Sequence, residues 1–382
     1  NTDRDPFNVN QLGHPYQGSM YYGFARSTGF NYWESAGYAF AGSIGWEIAG
    51  ERTHPSANDQ VASGIGGTFL GEALFRMSNL VLEHGGGMPR FWREMAAAAI
   101  SPSSGFNRLV YGERFGIFSS HDAAYYSRLE LGYAGTVKSD VGGSATNVQR
   151  NEFQVHYEID YGLPGSPGYS YTRPFDYFNF QATATTSNGI ESVMTHGLLV
   201  GRSYEAGDDF RGVWGVYGSY DYIAPQTFRV SSTAVSLGTT WQWWLGKKLS
   251  LQSTALLGLG YAAVGTTHSN AGDRDYNYGL APQSLLALRL TNDDKTSLDL
   301  SLREYYVSRV ASGTNGGQDN IIRADASFTY RIDRQQAVAL KVLGNRRDAR
   351  FAGSNADRQT QITVGIFYTL LGQDRFGTTD WR

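Results

Sequence analysis

Long segments of alternating polarity are the feature that most constrains how this chain can fold. From Phe153 to Tyr161, every odd-numbered residue is apolar and every even-numbered residue is polar or charged. A side-chain period of two is that of a β-strand, whose successive side chains point to opposite faces. About twelve such segments follow residue 124, most of them roughly ten to fourteen residues long, which exceeds the five or six of soluble sheets. They cover 124–137, 149–163, 174–186, 190–204, 209–222, 227–244, 249–266, 278–291, 295–309, 319–332, 335–346 and 360–371.

The connections between these segments differ in length in a regular way. Short turns, such as 205–208 and 333–334, alternate with long Gly-, Asn- and Asp-rich loops at 267–277, 310–318 and 347–359. Outer-membrane barrels have short periplasmic turns and longer outer loops. Two connections depart from this rule, since 164–173 is long and 187–189 is short. The pattern predicts an all-β transmembrane barrel of about twelve antiparallel strands, with fourteen as the upper alternative.

Composition agrees with a barrel in the bacterial outer membrane. Of the 382 residues, 14% are aromatic and only 18% are charged, with 47 glycines and no cysteine. Aromatic girdles and many glycines are typical of outer-membrane barrels, and the lack of cysteine suits an exported protein. The net charge of −3 does not favour nucleic-acid binding. The polar start of the chain is expected of a mature protein whose signal peptide has been removed.

The polar face of the alternating segments is expected to line the lumen, because the apolar face is long and continuous enough to contact lipid. Charges of both signs in a lumen can pair with one another, which closes the barrel, or with a plug. The predicted lumen-lining residues are Arg128, Glu130, His156, Glu158, Asp160, Asp299, Arg303, Arg323, Asp325 and Arg331.

The first third of the chain has the 3.6-residue period of helices. Residues 19–83 predict a helical hairpin broken at 52–55, and a third helix is predicted from Arg90 to about Ile100. In the first helix, small residues at 37, 41, 45 and 49 recur every four positions. Glycine destabilises a helix by about 1 kcal/mol relative to alanine, so this stripe is expected to pack closely against another backbone.

A second helical stripe is polar and predicts a plug. A twelve-stranded barrel leaves a bore of about 12–15 Å, and one helix occupies about 10–12 Å. We therefore expect part of residues 1–120 to plug the lumen, where Glu47 and Glu72 would pair with arginines of the wall, and part to lie beneath it in the periplasm. The predicted stripe consists of Arg26, Glu34, Glu47, Glu51, Asp59, Glu72 and Arg76.

Signatures of catalysis are weak. The sequence has no zinc-protease, nucleophile-elbow, P-loop or dinucleotide motif, and no cofactor is expected. His14 and Ser19 could form a base and nucleophile pair, but His14 is better explained as a helix anchor. His54 and Ser56, which lie two residues apart, are explained more simply by a helix start. No metal site is predicted, because the acidic segments 273–275 and 292–294 are better explained as solvated turns than as calcium loops.

A string of N-terminal residues resembles a bacterial family catalogued only as a domain of unknown function. The resemblance covers about residues 10–85, and the family occurs in predicted outer-membrane proteins of Gram-negative bacteria. It implies a location and no activity. The residues that carry it are His14, Pro15, Tyr16, Gly18, Ser19, Ala25, Arg26, Trp33, Glu34, Ser35, Trp46, Glu47, Gly50, Glu51, Pro55, Ser56, Asn58, Asp59, Gly66, Gly67, Gly71 and Glu72.

Together these features predict a monomeric outer-membrane channel or transporter for a small or amphiphilic solute. The expected parts are a helical plug or periplasmic segment (1–120), the barrel (121–372) and a periplasmic tail (373–382). Two other functions remain open. One is a barrel enzyme that modifies lipid or envelope components at the junction of plug and lumen, and the other is a structural or assembly factor that binds a periplasmic partner.

Overall fold

The computed structural model describes two compact units. One unit contains Asn1–Ala123 together with Arg173–Phe175, and the other contains Ala124–Thr172 together with Asp176–Arg382. We call them the helical unit and the barrel unit. The described residues are 5–49, 57–85, 87–112, 116–142, 149–225, 227–266, 276–309, 317–351, 357–373 and 375–381. Glu51 and the predicted break at 52–55 lie outside them.

The helical unit is built around one buried helix. Its helices are α1 (His14–Ser27, after a π-helical turn at Val9–Gly13), α2 (Tyr32–Ala49), α3 (Ala57–Asp59, continued by a π-helical segment at Gln60–Gly66), α4 (Gly67–His84), α5 (Arg90–Ile100) and α6 (Pro102–Tyr111). Most of α4 is buried, and α1 and α5 pack on it. Among the helices of the described residues, none is both long enough and apolar enough to cross a membrane.

The predicted first helix of the hairpin is in fact two helices. The chain turns at Gly29, whose φ of +103° lies in the region that favours glycine. Asn31 then starts α2, because its side-chain oxygen accepts hydrogen bonds from the backbone N–H groups of Trp33 and Glu34. The Glu34 carboxylate accepts the Asn31 N–H at 2.8 Å, which completes a capping box. The expectation of one continuous helix was wrong because this local cap was read as part of a polar stripe.

Close backbone contact occurs in the helical unit, but not along the predicted stripe. A Cβ atom on Gly18 would lie 2.0 Å from the Ser63 carbonyl oxygen, and one on Gly67 would lie 2.7 Å from the Gly18 Cα. Glycine is therefore required where α1 crosses the segment that leads into α4. In contrast, Cβ atoms on Gly37 and Gly45 would meet no atom of the described residues within 4 Å. The small-residue stripe of α2 is exposed, so the expectation that it packs against another backbone was wrong.

The barrel unit is a closed ring of twelve antiparallel strands. Each strand pairs with the next along the chain, and β12 closes the ring on β1, where Leu131 lies opposite Tyr368. The strands are β1 (Tyr125–Gly142), β2 (Asn151–Tyr161), β3 (Phe178–Thr185), β4 (Gly189–Ala206), β5 (Phe210–Ile223), β6 (Phe228–Trp244), β7 (Leu249–Thr266), β8 (Tyr276–Asn292), β9 (Thr296–Arg309), β10 (Gly317–Asp333), β11 (Gln336–Phe351) and β12 (Asp357–Leu371). The predicted barrel and its twelve strands are confirmed.

The outer surface of the barrel carries a broad set of exposed apolar side chains. These are large aliphatic and aromatic residues that alternate along each strand with inward-facing polar residues. Such a surface is the kind that a transmembrane barrel presents to lipid. Its exposed members include Val137, Val200, Trp214, Leu237, Trp243, Leu257, Leu259, Leu300, Leu302, Phe328, Ile332, Leu340, Ile366 and Tyr368.

Candidate functional site

A network of ion pairs crosses the lumen of the barrel. Arg128 donates from Nε to Glu158 at 2.7 Å and from Nη1 to Asp299 at 3.1 Å. Arg289 donates to Asp160 at 2.8 Å, to Glu158 at 3.3 Å and to Asp299 at 2.5 Å. The network joins β1 and β2 to β8 and β9, which lie on opposite sides of the ring. We call these five residues the lumen network; it narrows the lumen while leaving each buried charge with a partner.

Two smaller groups pair further charges inside the barrel. Arg303 of β9 contacts Asp221 of β5 at 3.3 Å, and the Tyr305 hydroxyl donates to the same carboxylate at 2.7 Å. Lys341 of β11 forms an ion pair with Glu130 of β1. The predicted lumen residues of these groups are thus held by other wall residues. Lumen charges were expected to pair either with one another or with a plug, and in these two groups they pair with one another.

A cavity of about 170 Å³ lies inside the barrel unit. It has room for about six water molecules. Besides the lumen network, its lining includes His156, Arg303, Arg323 and Asp325. Basic and acidic side chains balance in this lining. The five basic residues of the lining are Arg128, Arg289, Arg303, Arg323 and Lys341. The five acidic ones are Glu158, Asp160, Glu191, Asp299 and Asp325.

The C-terminal tail, of which residues 372, 373 and 375–381 are described, folds into the barrel unit. Phe376 is fully buried, packs edge-on against Tyr126 and lies 4.7 Å below the Arg331 guanidinium. Gly377 has a φ of +74°, and a Cβ there would lie 2.9 Å from the Tyr126 Cβ. Its carbonyl accepts a hydrogen bond from the Gln252 side chain at 2.5 Å. The tail therefore packs directly beside the lumen network.

Beyond Gly377 the tail reaches the opposite side of the ring. The Thr379 backbone exchanges two hydrogen bonds with the Gln242 amide, at 2.7 and 3.0 Å. The Thr379 hydroxyl donates to the Pro164 carbonyl at 2.5 Å, and the Trp381 indole donates to the Asp208 carbonyl at 2.8 Å. The tail thus runs from β12 to the β4–β5 turn across the short-turn end of the barrel.

The long β2–β3 connection explains one departure from the expected alternation of loop lengths. Within the barrel unit, Tyr169 and Tyr171 donate hydroxyl hydrogen bonds to the Asp176 and Gly162 carbonyls, at 2.6 and 2.8 Å. Tyr171 also packs on an inward apolar cluster of Tyr177, Leu198, Val213, Tyr217, Leu256 and Leu285. The connection folds inward, and its Pro164 carbonyl accepts the hydrogen bond from Thr379 of the tail.

In the helical unit, three predicted stripe residues form one buried cluster. Glu72 accepts from Arg26 Nε at 2.9 Å, from Arg76 Nε at 2.8 Å and from the Tyr22 hydroxyl at 2.6 Å. Burial raises the pKa of Glu72, but the two arginines outweigh this effect and hold the pKa below its usual value. Glu72 therefore takes its partners from its own unit. The expectation that Glu72 pairs with the wall was wrong, because the helices bury their own polar sides.

The other predicted helical residues have local partners. Glu47 is buried and accepts from the Gln60 side chain at 3.0 Å, whereas Glu34 belongs to the α2 cap. The Ser19 hydroxyl donates to the Tyr16 carbonyl at 2.6 Å, as a helical side chain often does.

His14 lies 3.5 Å from the Ser63 hydroxyl and 3.9 Å from Asp59, which also accepts from the Asn58 side chain. The structure thus places His14 with Ser63 and Asp59 rather than with Ser19. The geometry gives no support to a catalytic pair of His14 and Ser19.

Sequence reasoning missed several residues that complete these groups. Arg289 lies between Leu288 and Leu290, so its position on the polar face was readable from the alternation. Asp221 lies between two tyrosines. Because a tyrosine side chain has both an apolar ring and a polar hydroxyl, the alternation did not show which face of the strand carries Asp221. The tail residue Phe376 had no periodic signal at all, because a single apolar residue outside a strand or helix has no face to define.

Comparison with known proteins gives one family match and distant structural likenesses. No curated protein matches the chain. Similar solved structures include the KdgM porin (8% identity, 63% of this chain and 98% of that chain covered, TM-score 0.24). Others are a mutant of the TodX monoaromatic hydrocarbon channel (10%, 72% and 94%, 0.25) and an outer membrane channel from Pseudomonas putida F1 (10%, 64% and 95%, 0.29). Residues 1–103 match the family described as "Domain of unknown function (DUF3943)", in agreement with the resemblance seen in the sequence.

Proposed function

We propose that this protein is an outer-membrane channel for small polar solutes, closed at its short-turn end by its own C-terminal tail. The observation that carries the proposal is a cavity lined by charged side chains inside a closed barrel whose outer surface is apolar. A barrel of this kind isolates a hydrophilic path from lipid. In this proposal the tail takes the plugging role that was predicted for residues 1–120.

The cavity lining supports a choice of solute class. Its five basic and five acidic side chains leave no excess of either sign. A lumen without net charge is expected to discriminate weakly between cations and anions. The lumen network also spans the ring, so only small solutes are expected to pass. We therefore expect neutral or zwitterionic polar molecules to enter as readily as simple ions.

The test compares the full chain with a chain that ends at Gly372. Both are reconstituted in planar bilayers and in liposomes loaded for swelling with small sugars and amino acids. We expect low conductance from the full chain, and higher conductance and faster swelling from the truncated chain, with weak ion selectivity. The matched control is Arg375→Gln, which changes an exposed side chain of the tail and should behave as the full chain does.

The outcomes separate the two parts of the proposal. A truncated protein that keeps the heat-shifted gel band of a folded barrel but conducts no ions would overturn the channel. A full chain that already conducts as much as the truncated one would leave the channel standing and overturn closure by the tail.

A further inference from the structure

Helix α6 buries polar side chains and exposes apolar ones, an inversion of the arrangement in a helix that faces water. Its buried residues are Ser103, Ser104 and Asn107. Its exposed face carries Leu109, of which 86% is accessible, together with Val110. Surface helices of water-soluble proteins show the opposite arrangement, with the apolar stripe toward the core.

Helix α5 continues this exposed apolar surface. Phe91, Trp92 and Met95 are all more than half exposed and follow one another at helical spacing. The helix packs on α6 through Ala98, because a Cβ atom on Gly105 would lie 2.4 Å from the Ala98 Cβ. The two helices therefore form one hairpin whose outer faces are apolar.

Helix α2 repeats the inversion in another part of the same unit. It buries Ser35, Ser43 and Glu47 beside Tyr32 and Ala39, and Glu47 accepts a hydrogen bond from the Gln60 side chain. Its exposed side carries Ile48, of which 70% is accessible, and the small-residue stripe described above. The other large apolar side chains exposed on α2 are Trp33, Tyr38, Ile44 and Trp46.

Burial of polar groups alongside exposure of apolar ones indicates an apolar surrounding. The unit's interior satisfies its own charges, as the cluster of Arg26, Glu72 and Arg76 shows. A soluble monomer seldom exposes a contiguous apolar patch larger than a few hundred Å², and a larger one marks a protein or membrane contact. Here α2 and α6 bury polar residues, and α2, α5 and α6 all expose large apolar side chains. Lipid surrounds a whole unit, so it accounts for the breadth of the apolar surface better than a single partner does.

The net charge of the α5–α6 hairpin favours the same surrounding. Between residues 90 and 111 the chain has three arginines and one glutamate. Glu94 is bound by Arg108 at 2.5 Å, and three arginines against one glutamate give the hairpin a net positive charge. Basic residues beside exposed Trp and Phe are typical of helices that lie in a membrane interface and bind anionic lipid phosphates.

We propose that the helical unit is a lipid-binding module whose α2, α5 and α6 faces lie in the boundary between lipid headgroups and acyl chains. The apolar side chains enter the acyl region by about 5–10 Å, and the net positive charge of the α5–α6 hairpin attracts anionic headgroups. The exposed tryptophans take the interfacial position that indole rings favour. This inference is independent of the proposed channel, because it concerns only the surface of the helical unit.

The test uses the absence of cysteine from the sequence. Single cysteines at Leu109 and Ile48 are labelled with a nitroxide in the full chain, which is reconstituted in nanodiscs that contain phosphatidylglycerol. Electron paramagnetic resonance then compares the accessibility of each label to oxygen, which partitions into lipid, and to a water-soluble nickel chelate. Labels at Leu257, on the outer barrel surface, and at Lys247, in a short turn, provide the lipid and water references.

We expect the ratio of oxygen to nickel accessibility at positions 109 and 48 to resemble that at position 257, several-fold above that at position 247. Labels that respond to nickel as position 247 does would place the faces in water and overturn the proposal. Immobile labels that neither reagent reaches would indicate a protein contact, which would also overturn it. The heat-shifted gel band confirms that each labelled protein keeps its barrel.

Discussion

Phe376→Ala is the point substitution that tests most directly whether the tail closes the barrel. The ring is fully buried between Tyr126 and Arg331, with ring centroids 6.4 Å apart in the aromatic pair. Truncating a buried phenylalanine costs about 3–5 kcal/mol. The tail can release without unfolding the strand ladder, so the loss is expected in the docking equilibrium of the tail. We use the lower value, about 3 kcal/mol, because water can refill the site from the lumen.

A loss of this size raises the ratio of released to docked tail by about 150-fold, since about 1.4 kcal/mol corresponds to a factor of ten. Single-channel recording should therefore show open events that are about two orders of magnitude more frequent in Phe376→Ala than in the full chain. Arg375→Ala is the neighbouring control, because that side chain is about half exposed. An unchanged open frequency in Phe376→Ala, with the folded gel band intact, would refute the reasoning.

Two further predictions concern the helical unit and the position of the tail. Glu72→Gln leaves Arg26 and Arg76 buried without their carboxylate, so the helical unit should lose about 3–5 kcal/mol of stability in melts followed by circular dichroism at neutral pH. Folding lowers the pKa of Glu72, so the stability that its carboxylate contributes is complete above the ordinary pKa of 4.5 and is lost as pH falls through the lowered pKa. The wild-type helical unit should therefore lose stability only below about pH 4.5. Greater stability on acidification would contradict this. For the tail, a cysteine at the exposed Asp380 should react with an impermeant maleimide in spheroplasts but not in intact cells. A cysteine at Thr379, which is 6% exposed, should react slowly in both. Rapid reaction at Thr379 would show that the tail is not docked.

The alternation of polarity made the barrel predictable, because a strand's side-chain directions depend only on local backbone geometry. In β2, the inward positions of His156, Glu158 and Asp160 follow from the period of two once the opposite face is apolar. The boundary between α1 and α2 was also local, and Asn31 with Glu34 provided a capping signal that could have been read.

The sequence by itself determined which face of the clearly alternating strands enters the lumen, since that choice needs only the pleat of each strand. Tertiary structure alone decided which of them meet: Arg128 reaches Asp299, 171 positions away, because closure of the ring brings β1 and β9 to face each other. It also decided the course of the tail, whose few apolar residues have no period. The inverted helices likewise became visible only when packing showed that α6 buries its serines and exposes Leu109. Helical periodicity marks two faces, but only the packed structure shows which face is turned inward.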